Sequence, residues 1–92
     1  MVISSKGRYA LRVMVDLAEH GGDGYVSMRD VARRQELSDK YAGQVMSLLS
    51  RAGLVSGVTG KGGGYRLSRP PEQYSVGEIL RAIFLYLFCE LY

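Results

Sequence analysis

The sequence predicts a mainly α-helical domain carrying one small β-hairpin, in the order helix, helix, helix, hairpin, helix. Three observations predict it. Apolar residues recur at the 3.6-residue period of a helix in separate stretches before Gly53 and again after Pro71. Between those stretches the period changes to two short β-branched or aromatic runs around Gly60-Lys61-Gly62-Gly63-Gly64. At 92 residues the chain has the length of one domain, since compact domains usually run about 100–150 residues.

Ser4 or Ser5 can cap the first helix, which reaches about His20 with Tyr9, Val13, Met14, Leu17 and Ala18 at helical spacing. Gly21, Gly22 and Gly24 stop it, and Tyr25-Val26 is long enough only for a stub of strand. Ser27 followed by Asp30 reads as a capping-box variant for a short second helix to about Gln35, with Met28, Val31 and Ala32 on one face. Glu36-Leu37 is a tight turn. Ser38 then caps a third helix over 39–52, and Gly53 falls where a left-handed residue ends a helix. Residues 54–59 and 65–68 form the hairpin, whose glycine tip carries Lys61. Arg69-Pro70-Pro71 ends the second strand, because proline cannot donate to a continuing ladder. Ser75-x-x-Glu78 is a capping box for a fourth helix with Val76, Ile79, Leu80, Ile83 and Leu87 on one face. No repeat and no low-complexity linker interrupts the order.

Composition narrows the function. The longest apolar run, 82–89, is eight residues, against the ~20 a spanning helix needs. The N-terminus lacks the charged-then-apolar order of a secretory signal, so the cytoplasm is the expected location. Cys89 and His20 are the only cysteine and histidine. They exclude an internal disulfide framework and a four-ligand zinc site within one chain, so no metal and no cofactor is expected. Catalysis has little to work with: His20 has no nucleophile placed to meet it, and Cys89 reads as inert helix packing. Asp16 and Glu19 share a helix face and read as solvated surface. Neither an enzyme nor a small-molecule substrate is indicated. Charge points elsewhere. Residues 27–69 hold eight of the twelve Lys and Arg but three of the nine Asp and Glu, an excess that suits a polyanion.

A short helix, a tight turn, a second helix and a two-stranded wing make a winged helix-turn-helix, whose second motif helix enters the major groove of duplex DNA. Helix 39–52 fits that role. Ala42, Val45, Met46, Leu49 and Ala52 form an inward stripe, while Lys40, Gly43, Gln44, Ser47 and Arg51 form an outward polar stripe without an acid. Gln44 can pair with adenine N6 and N7, and Ser38 or Lys40 can reach phosphate. Tyr41 can lend its hydroxyl to a phosphate or serve as an aromatic at the core edge. The wing would add Lys61, Gly62, Gly63 and Arg66, glycines allowing close approach and cations supplying charge. A nucleotide loop is a poor reading of 60–64, because Lys61 precedes glycine and a strand follows instead of a helix.

Several motifs together resemble the Rrf-type (IscR-like) winged-helix transcription regulators. They are Ser5-Lys6-Gly7-Arg8-Tyr9-Ala10-Leu11, Ser38-x-x-Tyr41-x-x-Gln44, Arg51-Ala52-Gly53-Leu54-Val55, Gly60-x-x-Gly63-Gly64-Tyr65-x-Leu67-x-Arg69-Pro70 and Ser75-Val76-Gly77-Glu78-Ile79. The resemblance covers about residues 3 to 83. It implies a homodimeric, sequence-specific DNA-binding regulator, with repression as the first expectation. Two positions depart from the family's usual pattern: Thr59 stands where a basic residue is common, and Gly43 where an acid is common. Family chains continue past the fourth helix, into cluster-binding cysteines in some members and then a long dimerising helix. Here 1–82 reads as the DNA-binding domain and 83–92 as an apolar tail of the fourth helix, with a truncated chain, a natural fragment and a frameshifted end as the alternatives. The competing reading is a winged-helix interaction or dimerisation fragment without regulatory activity of its own.

Overall fold

The computed structural model describes residues 5–22, 24–58, 60 and 63–91, with side chains among them up to Leu85. The helices are α1 (Ser5–His20), α2 (Met28–Arg34), α3 (Asp39–Arg51) and α4 (Val76–Leu91). Strands β1 (Val55–Val58) and β2 (Gly64–Leu67) pair between α3 and α4, and a 3-10 turn, Pro71–Gln73, precedes α4. The fold is the expected one, mainly helical with a two-stranded antiparallel hairpin, and the helix and strand limits agree with the expected ones to within about a residue.

Local chemistry explains the limits. Ser27 Oγ accepts from Asp30 N at 3.1 Å, Ser38 Oγ from Tyr41 N at 3.1 Å, and Ser75 Oγ from Glu78 N at 3.0 Å. Each serine thereby satisfies one of the amides that the first turn leaves without a helical acceptor. The fourth cap differs from the expected box in one respect: the Glu78 carboxylate pairs with Arg69. Both motif helices end alike. Glu36 N donates to Arg33 O at 3.3 Å and Leu37 N to Ala32 O at 2.8 Å, while Gly53 N donates to Ser50 O and Leu54 N to Leu49 O, both at 3.0 Å. These are Schellman closures, which need a left-handed residue. Gly53 supplies it at φ 76°, but Glu36 adopts φ 57° with a full side chain.

α1 is the central helix, packed against α2, α3, β2 and α4. Its Ala10, Val13, Met14 and Leu17 meet Val31 of α2, Val45, Met46, Leu48 and Leu49 of α3, Leu54, Val55, and Ile79 and Ile83 of α4 in one buried cluster. Val26 exchanges two backbone bonds of 2.8 Å with Tyr65, so the expected stub of strand is a single bridge on the edge of β2. Gly64 makes that approach possible. It sits at φ 152°, and a Cβ there would lie 2.3 Å from Val26 O. Tyr74 fixes the exit of the hairpin, its hydroxyl donating to Leu54 O at 2.7 Å and accepting from Arg69 N at 3.0 Å.

Three side chains depart from the sequence-based expectations. Ala18 is exposed, because the buried stripe of α1 passes through Met14 and Leu17 and leaves it at the groove edge. Val76 is 61% exposed, since it borders an open groove between α1 and α4 that no other described segment covers. Asp16 is not solvated surface but 2% exposed. Arg34 explains this, its Nε and Nη2 donating to the carboxylate at 2.9 and 2.7 Å, with Gln35 Nε2 donating at 3.0 Å.

Burial alone would raise the Asp16 pKa, but the hydrogen bonds from Arg34 and Gln35, with the charges of Arg34 and His20, outweigh it and hold the pKa below 3.8. The ion pair therefore contributes fully above the unfolded-state pKa and is lost as pH falls through the lower native value. Asp16→Asn should cost about 1–3 kcal/mol at neutral pH, the Arg34 side chain left behind being partly solvated. In urea unfolding, its deficit relative to wild type should shrink progressively as pH falls through the ordinary carboxylate range and below it. Glu36→Gly should instead stabilise the chain, by about 1 kcal/mol, through relief of the left-handed strain. Thermal unfolding checks it as a rise in Tm of about 4–8 °C.

Candidate nucleic-acid interface

The face that α3 presents is set by what it buries. Ala42, Val45, Met46, Leu48 and Leu49 are in the interior, and the serine cap and Gly53 closure hold both ends. The opposite face turns outward. Lys40, Gln44 and Arg51 are exposed, while Gly43 and Ser47 are half-buried. The five border one open groove of about 540 Å³, together with Leu48 and with Lys6 from the first turn of α1. None of the seven lining residues is acidic.

Ser38 and Tyr41 flank this face. The Ser38 hydroxyl accepts the cap bond and keeps a proton to donate, since a hydroxyl can do both. Tyr41 is half-buried, its ring edge-on to Tyr9 with centroids 5.5 Å apart. Both expected roles are therefore compatible: the ring packs at the core edge while the hydroxyl belongs to a residue beside the helix start. Partial burial, and secondarily Tyr9, raise the Tyr41 pKa. Its hydroxyl stays protonated at neutral pH and can serve as a donor.

The hairpin adds Gly63, whose amide donates to Gly60 O at 3.0 Å across the tip. Lys61 and Gly62, expected to contact DNA, lie outside the described residues, as do Thr59 and the side chain of Cys89. Arg66 does not join the α3 groove. Its guanidinium carbon lies 5.0 Å from the centre of the Tyr25 ring. It borders a second groove of about 580 Å³ with Arg69, Ser56, Ser68, Leu17 near the end of α1 and Gly21 just after it. Lys6 and Gly21 are separated by the length of α1, roughly 22 Å at 1.5 Å per residue.

Sequence reasoning missed Lys6 at the α3 groove, and the ring contacts of Tyr9 with Tyr41 and of Tyr25 with Arg66. Tyr9 and Tyr41 both sit on apolar stripes or their edges, a signal compatible with the contact found. Lys6 and Tyr25 carry no local signal, because each gains its place through a segment distant in sequence. No group of three or more His, Cys, Asp or Glu that could hold a metal occurs among the described residues. No helix among them is long and apolar enough to cross a membrane.

Comparison with known proteins identifies the family. Residues 3–84 match the Rrf2 family, described as "Iron-dependent Transcriptional regulator". The HTH-type transcriptional regulator IscR of Aliivibrio salmonicida is 45% identical over 83 residues, which are 90% of this chain and 49% of that protein. The HTH-type transcriptional regulator CymR of Bacillus subtilis is 41% identical over 83 residues, 90% of this chain and 60% of that one. The solved structure of CymR, the global cysteine regulator of B. subtilis, superposes with a TM-score of 0.85 at 40% identity, covering 90% of this chain and 64% of that one. T. potens IscR gives 0.81 at 37% identity, covering 99% and 74%. The chain thus spans about half the length of the curated IscR relative and rather more of CymR. These are regulators and not enzymes, and on sequence and fold alike the chain belongs to the Rrf2 family of transcriptional regulators.

Proposed function

We propose that this chain binds duplex DNA with α3 in the major groove and the glycine hairpin alongside. The acid-free groove along α3 carries the proposal. Gln44 reads a base edge, and Ser38, Lys40, Tyr41, Ser47 and Arg51 hold or flank the phosphates. Lys61, Gly62 and Gly63 approach the backbone from the hairpin, with Arg66 adding charge from its separate groove. Residues 1–82 are the duplex-binding unit and 83–92 its apolar tail, although Ile83 is itself anchored in the core at 2% exposure. Such a regulator acts in the cytoplasm, and by occupying a stretch of duplex it excludes other proteins and represses.

The family description is iron-dependent, yet the residues here do not fit an iron centre. Cys89 is the chain's single cysteine, whereas protein-held iron–sulfur clusters usually take four ligands. No step of the proposed binding runs through iron.

Phe84 and Leu85 are 67% and 55% exposed on α4. We infer that they pair two copies of the chain, since adjacent exposed apolar groups of this size mark an interaction site. Two-fold pairing would set two copies of α3 on half-sites about 34 Å apart or a multiple of that. The same observation favours the second reading, an interaction fragment that binds no DNA alone.

A salt-dependent mobility shift on random duplex separates the readings, because only the first predicts binding. Lys61→Ala should weaken binding to all sequences alike and lower the salt slope by about 0.9. Gln44→Ala should cost about 1–3 kcal/mol at one base pair; an equal loss on selected and random duplex refutes its base-reading role. Light scattering should find the intact chain dimeric and Phe84→Ser/Leu85→Ser monomeric. The double substitution spares Ile83, which a cut at Ala82 would remove.

A further inference from the structure

Lys6 stands on the first turn of α1, outside the two motif helices, yet it borders the same groove as Lys40, Gly43, Gln44, Ser47 and Arg51. The groove thus has a basic wall on α1 as well as on α3. Its size of about 540 Å³ and its open form suit a polymer passing through, because small-ligand sites enclose most of their ligand.

Gly43, in the middle of the α3 wall, is a glycine that the fold itself does not require. Its φ lies outside the left-handed region, and a Cβ would meet only the Met28 side chain, Sδ at 3.7 Å and Cε at 4.0 Å. Those are ordinary contacts, and alanine would strengthen the helix. Glycine here weakens α3 and leaves that point of the groove lining without a side chain.

We propose that this groove seats one sugar–phosphate strand of duplex DNA, with Lys6 as a phosphate contact and Gly43 as the point of close approach. The proposal rests on the reading of α3 as the DNA-facing helix and extends the contact surface onto α1. Phosphate contacts from elements flanking a recognition helix fix its register on the duplex without carrying sequence information. Lys6 therefore orients Gln44 and does not read a base.

The test uses the 92-residue chain with Lys6→Ala, Lys6→Arg or Gly43→Ala. Each is titrated with a random-sequence duplex and with a duplex selected from a random pool, over about 50–200 mM salt. Circular dichroism checks the fold of each variant. Lys6→Ala should weaken both duplexes alike, by about threefold or more, and lower the salt slope by about 0.9. Lys6→Arg should retain affinity and slope. Gly43→Ala should raise Tm by about 4–8 °C while weakening binding by about fivefold or more. Unchanged affinity and slope in Lys6→Ala would overturn the proposal. A loss confined to the selected duplex would do the same, as would undiminished binding by Gly43→Ala. If the unaltered chain binds neither duplex, the reading of α3 itself fails.

Discussion

The buried carboxylate of Asp16 is the constraint on which the placement of the motif helices depends. α2 has seven residues, well below the roughly 12–15 at which an isolated helix holds itself together in water. It contributes two buried residues, Val31 and Ala32, so packing alone orients it weakly. The two parallel bonds from Arg34 to Asp16 fix its rotation against α1, because a planar guanidinium meets a carboxylate edge in only a few ways. Gln35 extends the link. It donates to Asp16 and accepts from Arg12 Nε at 2.9 Å, while the Arg12 guanidinium lies 5.1 Å from the centre of the Tyr9 ring. Tyr9 in turn meets Tyr41 on α3. A continuous path of polar and aromatic contacts thus joins α2, α1 and α3. The taut turn at Glu36 passes the resulting orientation directly to Ser38 and the start of α3.

Most of the fold was legible because its signals are local. Serine caps, glycine closures and the change of hydrophobic period occupy a few adjacent residues each, and they located the four α-helices and both strands, though not the 3-10 turn. The outer face of α3 was legible for the same reason: with 3.6 residues per turn, choosing Ala42, Val45, Met46 and Leu49 as the inner stripe determines where Lys40, Gln44 and Arg51 point. The failures involve partners far apart in the chain. Asp16 looks like any surface acid until Arg34 is brought to it, and nothing near Lys6 announces that it will face α3. Arg66 illustrates a subtler limit. Its strand was correctly read, but a strand has two faces, and the side chain turns toward Tyr25 and away from the α3 groove.

The two Schellman closures show how equal geometry can rest on unequal chemistry. At Gly53 the left-handed turn into β1 is met by the residue best able to adopt it. At Glu36 the same closure holds a side chain in a sparsely populated conformation. The packing of α2 and the Asp16 ion pair together hold the turn in place, so this strain is maintained by contacts elsewhere and not by the turn's own sequence.

The bridge between Val26 and Tyr65 gives the hairpin a mechanical connection to the motif helices. Both backbone bonds of Val26 are made to β2, and the next residue, Ser27, caps α2. A tilt imposed on the hairpin is therefore delivered one residue later to the start of α2 and, through its short turn, to α3. The hairpin and the helix pair behave as the two arms of one lever. Torque applied by the contour of a bound polymer at one arm is felt as a rotation at the other.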